Sequence, residues 1–222
     1  MPSAHSPSEQ ASLRATRNTA IANTVMMTLQ IATGWLTGSH AIVADGIHTL
    51  VDLVVDALLF LPLHPGRGPL AAWLAGRAAW LPAVAAAALP ILAGSELIWH
   101  SLANAESSGT KAASAQTIAL CVALLVVATR GYAARHLSAA AARIDAVHAR
   151  IVDALRAGAT HALADAISAA AAAVGAVGTM TGIAHLDRMA ALLIGAMMLG
   201  MGLLQEDGLV RRYCRRVRAR PA

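Results

Sequence analysis

Long apolar blocks separated by short polar stretches run along most of this 222-residue chain. A helix that crosses a bilayer needs about 20 mostly apolar residues. Blocks of about this length occur at residues 18–36, 41–63, 78–102, 112–130, 156–181 and 187–204. The pattern predicts an all-α membrane protein with six transmembrane helices. The connections after the first, third and fifth blocks are short, so those neighbours are expected to form antiparallel hairpins.

Basic residues are unevenly divided between the two sides of the predicted bundle. Six spans place both termini on one side, and 15 of the 17 basic residues fall there, leaving Lys111 and Arg188 on the other. Because cytoplasmic loops carry an excess of Lys and Arg, cytoplasmic termini are expected. The chain then divides into a cytoplasmic segment (1–17), a six-helix transmembrane domain (18–204) and a short basic cytoplasmic tail (205–222). The Ala- and Arg-rich connector at about 130–153 is predicted to extend the fourth and fifth helices.

Composition limits the class of protein further. Hydrophobic residues make up 57% of the chain and charged residues 13%, far from the average of soluble domains. The net charge of +5 comes from basic residues beside the ends of apolar blocks, without interleaved aromatic residues, so a nucleic-acid partner is not expected. The two cysteines form no metal or redox motif, and no hydrolase motif is present, so an enzyme is not expected.

Two His-x-x-x-Asp pairs lie inside the second and fifth apolar blocks. An Asp at the centre of a span costs about 2.5–3.5 kcal/mol, so such residues indicate function. His48 and Asp52 lie one turn apart in one helix, and His161 and Asp165 in another. Two imidazoles and two carboxylates would complete the tetrahedral shell of Zn²⁺ and leave no position for a catalytic water. Protons compete with the metal for these atoms, so the sequence favours a metal-transport site with proton antiport.

Other polar residues accompany these pairs. Asp45 and Asp56 share the helix face of His48 and Asp52, and Ser168 shares that of His161 and Asp165. Asp45 and Asp56 are therefore candidate accessory residues. His64 follows the second span in a turn rich in Pro and Gly, where a solvated loop is the simpler interpretation and an accessory metal contact is the alternative. The glycines of the last two spans would permit close helix contact: Gly175, Gly178, Gly182, Gly195, Gly200 and Gly202.

Several of these stretches resemble the cation diffusion facilitator family of six-span divalent-metal/proton antiporters. Residues 38–52 resemble the start of its second helix, including the His/Asp-x-x-x-Asp half-site, and residues 155–165 resemble its fifth-helix half-site. Asn23 fits the first helix as a candidate accessory residue. Shorter similarities cover the starts of the third helix (76–80) and the sixth helix (186–194).

The resemblance implies a function and an assembly. It implies that His48, Asp52, His161 and Asp165 form the transport site of a homodimer that works by alternating access. This ligand set resembles the zinc-selecting branch, with Cd²⁺ or Co²⁺ as alternative cargo. Members that transport Fe²⁺ or Mn²⁺ more often replace a His with Asp.

The chain departs from the family at three places. Only residues 206–222 follow the sixth span, where the family usually has a cytoplasmic metal-binding and dimerising domain, so regulation by cytosolic metal and the usual dimer contact are not implied. Gly158 and Ala79 stand where the family often has an acidic residue. These losses are expected to weaken metal capture from the cytoplasm and to leave the central site intact.

Three other interpretations are compatible with the sequence. The chain could be an iron or manganese transporter of the same fold, a scaffold paralogue that does not transport, or a haem protein with His48 and His161 as axial ligands. The Asp at i+4 on both helices argues against haem, which has no need of it. The high Arg and Ala content with a single Lys points to a bacterial inner membrane.

Overall fold

The computed structural model describes residues 7–60, Pro69, Trp73 and residues 81–103, 113–142, 149–183 and 185–218. Six long α-helices account for almost all of these residues: α1 (Pro7–Thr37), α2 (His40–Phe60), α3 (Leu81–Ala103), α4 (Ala113–Ala142), α5 (Ala149–Met180) and α6 (His185–Arg218). No strand occurs within this described part. The predicted all-α fold is therefore confirmed.

Most helices are longer than the apolar blocks that predicted them. α4 continues to Ala142 and α5 begins at Ala149, so the helical extension predicted for the connector is confirmed on both sides of residues 143–148. At the ends of the chain, α1 begins at Pro7 and α6 continues to Arg218. Both helices therefore run without a break through the predicted boundaries at 17/18 and 204/205.

Four helices are long and apolar enough to cross a membrane by themselves. These spans are Val84–Ala103, Ser114–Ala142, Gly158–Met180 and His185–Leu204. α1 is more polar, whereas α2 is apolar on average but carries three carboxylates, Asp45, Asp52 and Asp56. Several of their polar side chains, including Gln30, Asp45 and His48, are buried against other helices. The six predicted spans thus divide into four that composition marks clearly and two whose polar residues lie inside the bundle.

The helices pack around α2. It contacts α1, α3, α5 and α6, while α4 packs closely on α5 and α3 packs closely on α6. The core that joins them consists of small and aliphatic side chains together with Met198; among them are Ala44, Val51, Ala172 and Ile194. In a membrane, where lipid tails are as apolar as the protein, close packing of small residues is a main source of helix association. This packing fixes the depth and rotation of α2 relative to α5.

Glycine allows the α3 and α6 backbones to touch. A Cβ atom on Gly94 would lie 2.6 Å from the carbonyl oxygen of Gly195, and one on Gly202 would lie 2.8 Å from that of Ala87. The close helix contact predicted for Gly195 and Gly202 is confirmed. Gly182 and Gly200, in contrast, have no described atom within 4 Å of their Cβ positions, so the contact predicted for these two is absent among the described residues. Gly175 and Gly178 of α5 also make close contacts, with α6 residues among their neighbours.

Two short turns join α1 to α2 and α5 to α6. Gly38 (φ 69°) and Gly182 (φ 79°) adopt the left-handed conformation that glycine accepts without strain. In each turn the amide after the glycine donates to the carbonyl four residues before the glycine, at 3.0 Å and 2.7 Å. This hydrogen bond is typical of a glycine-terminated helix. The antiparallel hairpins expected at these two connections are therefore present. The hairpin expected between the third and fourth helices is not formed by their described residues, because α3 packs on α6 and α4 packs on α5.

Candidate metal-transport site

α2 supplies one half of the candidate site. His48 is buried, with 2% of its surface exposed, and Asp52 is partly buried one turn further along the same helix. The Nε2 atom of His48 lies 3.2 Å from the Oδ2 atom of Asp52. The helical spacing therefore directs both side chains towards one point inside the bundle.

α5 brings the second pair against the first. His161 Nε2 lies 3.6 Å from Asp52 Oδ2 and 3.9 Å from Asp165 Oδ1. Asp165 Oδ1 in turn lies 3.8 Å from His48 Nε2. Each imidazole thus faces a carboxylate of its own helix and one of the other helix. All four residues predicted as ligands therefore approach one another, although only His48, Asp52 and Asp165 form a group whose ligand atoms all lie within 4.8 Å of one another.

Several atoms in this cluster lack the partners that buried polar atoms need. Both ring nitrogens of His48, Oδ2 of Asp52 and both oxygens of Asp165 are buried without a hydrogen-bond partner among the described residues, although Asp165 Oδ2 forms an ion pair with Arg130. Such atoms carry a desolvation cost unless another group satisfies them. One ligand atom each from His48, Asp52 and Asp165 lie within 4.8 Å of one another. Imidazole nitrogen and carboxylate oxygen at this spacing can coordinate a divalent cation.

His161 differs from the other three residues in exposure. Its side chain is 48% exposed, whereas those of His48 and Asp165 are 3% and 8% exposed. The cluster is thus closed around His48 and open at His161.

A bis-imidazole haem does not fit between these helices. Asp52 Oδ2 lies 3.2 Å from Nε2 of His48 and 3.6 Å from Nε2 of His161. A porphyrin held by both imidazoles would occupy the space of this carboxylate. The geometry favours a small cation over a haem.

Arg130 of α4 is a site neighbour that sequence reasoning missed. Its Nη1 atom lies 2.9 Å from Asp165 Oδ2, and its side chain is 16% exposed. The contact is an ion pair whose geometry is not that of a hydrogen bond. The sequence placed Arg130 among the basic residues that set topology. The sequence feature that could have revealed this role is the position of Arg130 inside α4, with apolar residues of that helix on both sides of it.

Asp45 joins three helices. Gln30 of α1 donates a hydrogen bond from Nε2 to Asp45 Oδ2, and Ser168 of α5 donates one from Oγ to Asp45 Oδ1. Thr49 donates to Gln30 Oε1 at 3.4 Å. Both oxygens of Asp45 already accept hydrogen bonds from protein side chains. This candidate accessory residue is therefore engaged in helix contacts. Ser168, which the sequence placed on the face of the α5 pair, and Gln30, which it did not single out, complete this buried group.

The other candidate accessory residues lie apart from the cluster or outside the described residues. Asp56 is exposed on α2, one turn beyond Asp52, and Asn23 is half-buried on α1, two turns before Gln30. Asp56 does not belong to the group of potential ligands formed by His48, Asp52 and Asp165. His64 lies outside the described residues.

Of the two positions where the family often has an acidic residue, the structure describes one. Gly158 lies in the contact between α5 and α4, where an added Cβ would meet Leu137 Cδ1 at 3.4 Å. This is close to an ordinary van der Waals distance, so a side chain could begin there. Ala79 lies outside the described residues.

A helical membrane bundle with a buried His/Asp cluster is typical of an integral membrane transporter of metal cations. Residues 19–204 match the model of the cation efflux transmembrane domain, and the chain belongs to this family, the cation diffusion facilitators. It is therefore a transporter of metal cations of this type. Comparisons with curated proteins and with solved structures gave no significant match.

Proposed function

We propose that this protein is a proton-coupled antiporter that exports Zn²⁺ from the cytoplasm, with His48, Asp52, His161 and Asp165 as the transport site. The observation that carries the proposal is the convergence of these four side chains from two helices. Asp52 Oδ2 lies within 3.6 Å of both imidazole Nε2 atoms, and Asp165 Oδ1 lies within 3.9 Å of both. Two nitrogens and two oxygens match the four-coordinate preference of zinc. Cd²⁺ and Co²⁺ are the alternative cargo.

Proton coupling follows from the same atoms. A metal binds neutral imidazole and ionised carboxylate, so protons and the cation compete for the cluster. Metal bound from one side would displace protons, and protons entering from the other side would release the metal. The half-exposed His161 is the residue through which the metal would first reach the buried atoms.

The proposal also includes the assembly and the membrane. We infer a homodimer with cytoplasmic termini in a bacterial inner membrane. The family resemblance supports the dimer. The concentration of basic residues on the side of the termini supports the orientation.

The decisive experiment measures metal-driven proton flux in proteoliposomes that contain a pH-sensitive dye. Wild-type protein is compared with His161→Ala, while Zn²⁺, Cd²⁺, Co²⁺, Fe²⁺ and Mn²⁺ are added in turn. The matched control is His185→Ala, which removes an exposed histidine at the start of α6. We expect proton flux with Zn²⁺ in wild type and in the control, and its loss in His161→Ala.

Other outcomes would point to different functions. Flux with Fe²⁺ or Mn²⁺ and none with Zn²⁺ would identify an iron or manganese transporter. A folded protein without flux for any of the five ions would contradict the antiporter and favour a scaffold role.

A further inference from the structure

A cation of the protein itself lies beside the proposed transport site. Arg130 Nη1 on α4 is 2.9 Å from Asp165 Oδ2 on α5. The other oxygen of this carboxylate, Oδ1, faces the Nε2 atoms of His48 and His161 at 3.8 Å and 3.9 Å. The two oxygens of Asp165 therefore have different surroundings, one cationic and one made of potential metal ligands.

We propose that Arg130 is a specificity-determining residue of the transport site. It holds Asp165 Oδ2, so that Asp165 offers only Oδ1 to the transported cation. The site is thereby limited to about four donor atoms and favours small, four-coordinate ions. This inference rests on the proposed function, because it assumes that the cluster binds the cargo.

The burial of the ion pair supplies the physical reason. The side chains of Arg130 and Asp165 are only 16% and 8% exposed. A carboxylate that turned to chelate a larger ion with both oxygens would abandon the guanidinium, which cannot lose its proton in a protein. Removing one partner of a buried ion pair leaves an uncompensated charge and is strongly unfavourable. A four-coordinate ion such as Zn²⁺ does not require this rearrangement, whereas the larger Cd²⁺ gains from extra oxygen donors.

The charge of Arg130 and its position have separable effects. The positive charge weakens the attraction of the two carboxylates for any dication, to a similar extent for Zn²⁺ and Cd²⁺. The restraint on Asp165 affects only the ion that benefits from a second oxygen. The ratio of the Cd²⁺ and Zn²⁺ affinities therefore reports the restraint, while a common change in both affinities reports the charge.

The test uses equilibrium binding to the purified full-length protein in detergent. Zn²⁺ is titrated by calorimetry, and Cd²⁺ is measured by competition against bound Zn²⁺. Arg130→Gln removes both charge and restraint, and Arg130→Lys keeps the charge without the planar two-pronged guanidinium. The matched control is Arg135→Gln, an exposed arginine on the same helix.

We expect Arg130→Gln to bind both ions more tightly and to shift the Cd²⁺/Zn²⁺ affinity ratio towards Cd²⁺ by about tenfold, because the guanidinium no longer restrains the carboxylate. Arg130→Lys should shift the ratio in the same direction by a smaller factor, and Arg135→Gln should match wild type. If Arg130→Gln does not fold, as judged by gel filtration, Arg130→Lys alone decides the question.

An unchanged ratio in the folded Arg130 variants, with Zn²⁺ still bound, would overturn the role of Arg130 and leave the proposed function standing. Failure of the wild-type protein to bind either ion would instead overturn the proposed function.

Discussion

Ser39 Oγ donates a hydrogen bond of 2.6 Å to Asp187 Oδ1 and thereby joins the first residues of α2 to the start of α6. The same carboxylate accepts the backbone N–H of His40 at 2.7 Å and that of Ala41 at 3.3 Å. Ser39 Oγ also accepts the N–H of Ile42 at 3.3 Å, as an N-cap residue does. A buried carboxylate from one helix thus satisfies the positive end of another.

This contact should stabilise the bundle without taking part in metal binding. Replacing Asp187 with Ala leaves the N–H groups of His40 and Ala41 and the hydroxyl of Ser39 without their acceptor. The expected loss is about 1–3 kcal/mol for buried polar groups that lose their partner. Thermal unfolding in detergent, followed by gel filtration, measures the effect. The control is Met189→Ala, which shortens an exposed side chain of the same helix. The neighbouring Arg188 is less suitable because it makes interactions of its own.

A second prediction concerns Gly175 of α5, which packs against Asp187 of α6. A Cβ atom there would lie 2.9 Å from Ala41 Cβ and 3.0 Å from both Cα and Oδ1 of Asp187. Gly175→Ala should therefore push α5 away from the junction of α2 and α6 and lower the unfolding temperature. Added volume in a packed core typically costs about 1–3 kcal/mol. Gly200→Ala adds the same methyl group where no described atom lies within 4 Å, and it should not lower the unfolding temperature, because Ala is a better helix former than Gly. Equal stability of both variants would contradict the close contact.

The hydrogen bonds to Asp45 give a third prediction. Gln30→Ala and Ser168→Ala each remove one donor to this buried carboxylate. Each should destabilise the protein by about 1–3 kcal/mol, as expected when a buried acceptor loses its partner. Since both donors serve the same group, the double variant should not be the sum of the two single ones. Additive losses in thermal unfolding would indicate that the two hydrogen bonds act independently.

Metal binding should raise stability through the proposed ligands. At a Zn²⁺ concentration 100 times the dissociation constant, a site present only in the folded state contributes about 2.7 kcal/mol. Wild-type protein should therefore unfold at a higher temperature with Zn²⁺ than with a chelator. Asp52→Asn and Asp165→Asn should lose this difference, whereas Asp153→Asn, which alters an exposed residue of α5, should retain it. A full Zn²⁺-dependent shift in both site variants would argue that the ion binds elsewhere.

Much of the fold follows from local patterns in the sequence. Apolar blocks of the right length predicted six helices, and the Ala- and Arg-rich connector predicted the extensions of α4 and α5. Within α2, the 3.6-residue period was enough to place His48 and Asp52 on one face, and the same holds for His161 and Asp165 in α5. These predictions succeeded because residues one turn apart in a helix share a face whatever the helix packs against.

The sequence by itself therefore determined the helices, the two His/Asp half-sites and the family to which they are similar. Only the tertiary structure decided which other side chains meet them: Arg130 at Asp165, Gln30 and Ser168 at Asp45, and Ser39 at Asp187. Ser168 and Asp45 are 123 residues apart in sequence, and Ser39 and Asp187 are 148 apart. Contacts at such separations depend on the depth and rotation at which whole helices pack. That packing is set by small residues such as Gly94 and Gly175, through close approaches between helices rather than through any local period.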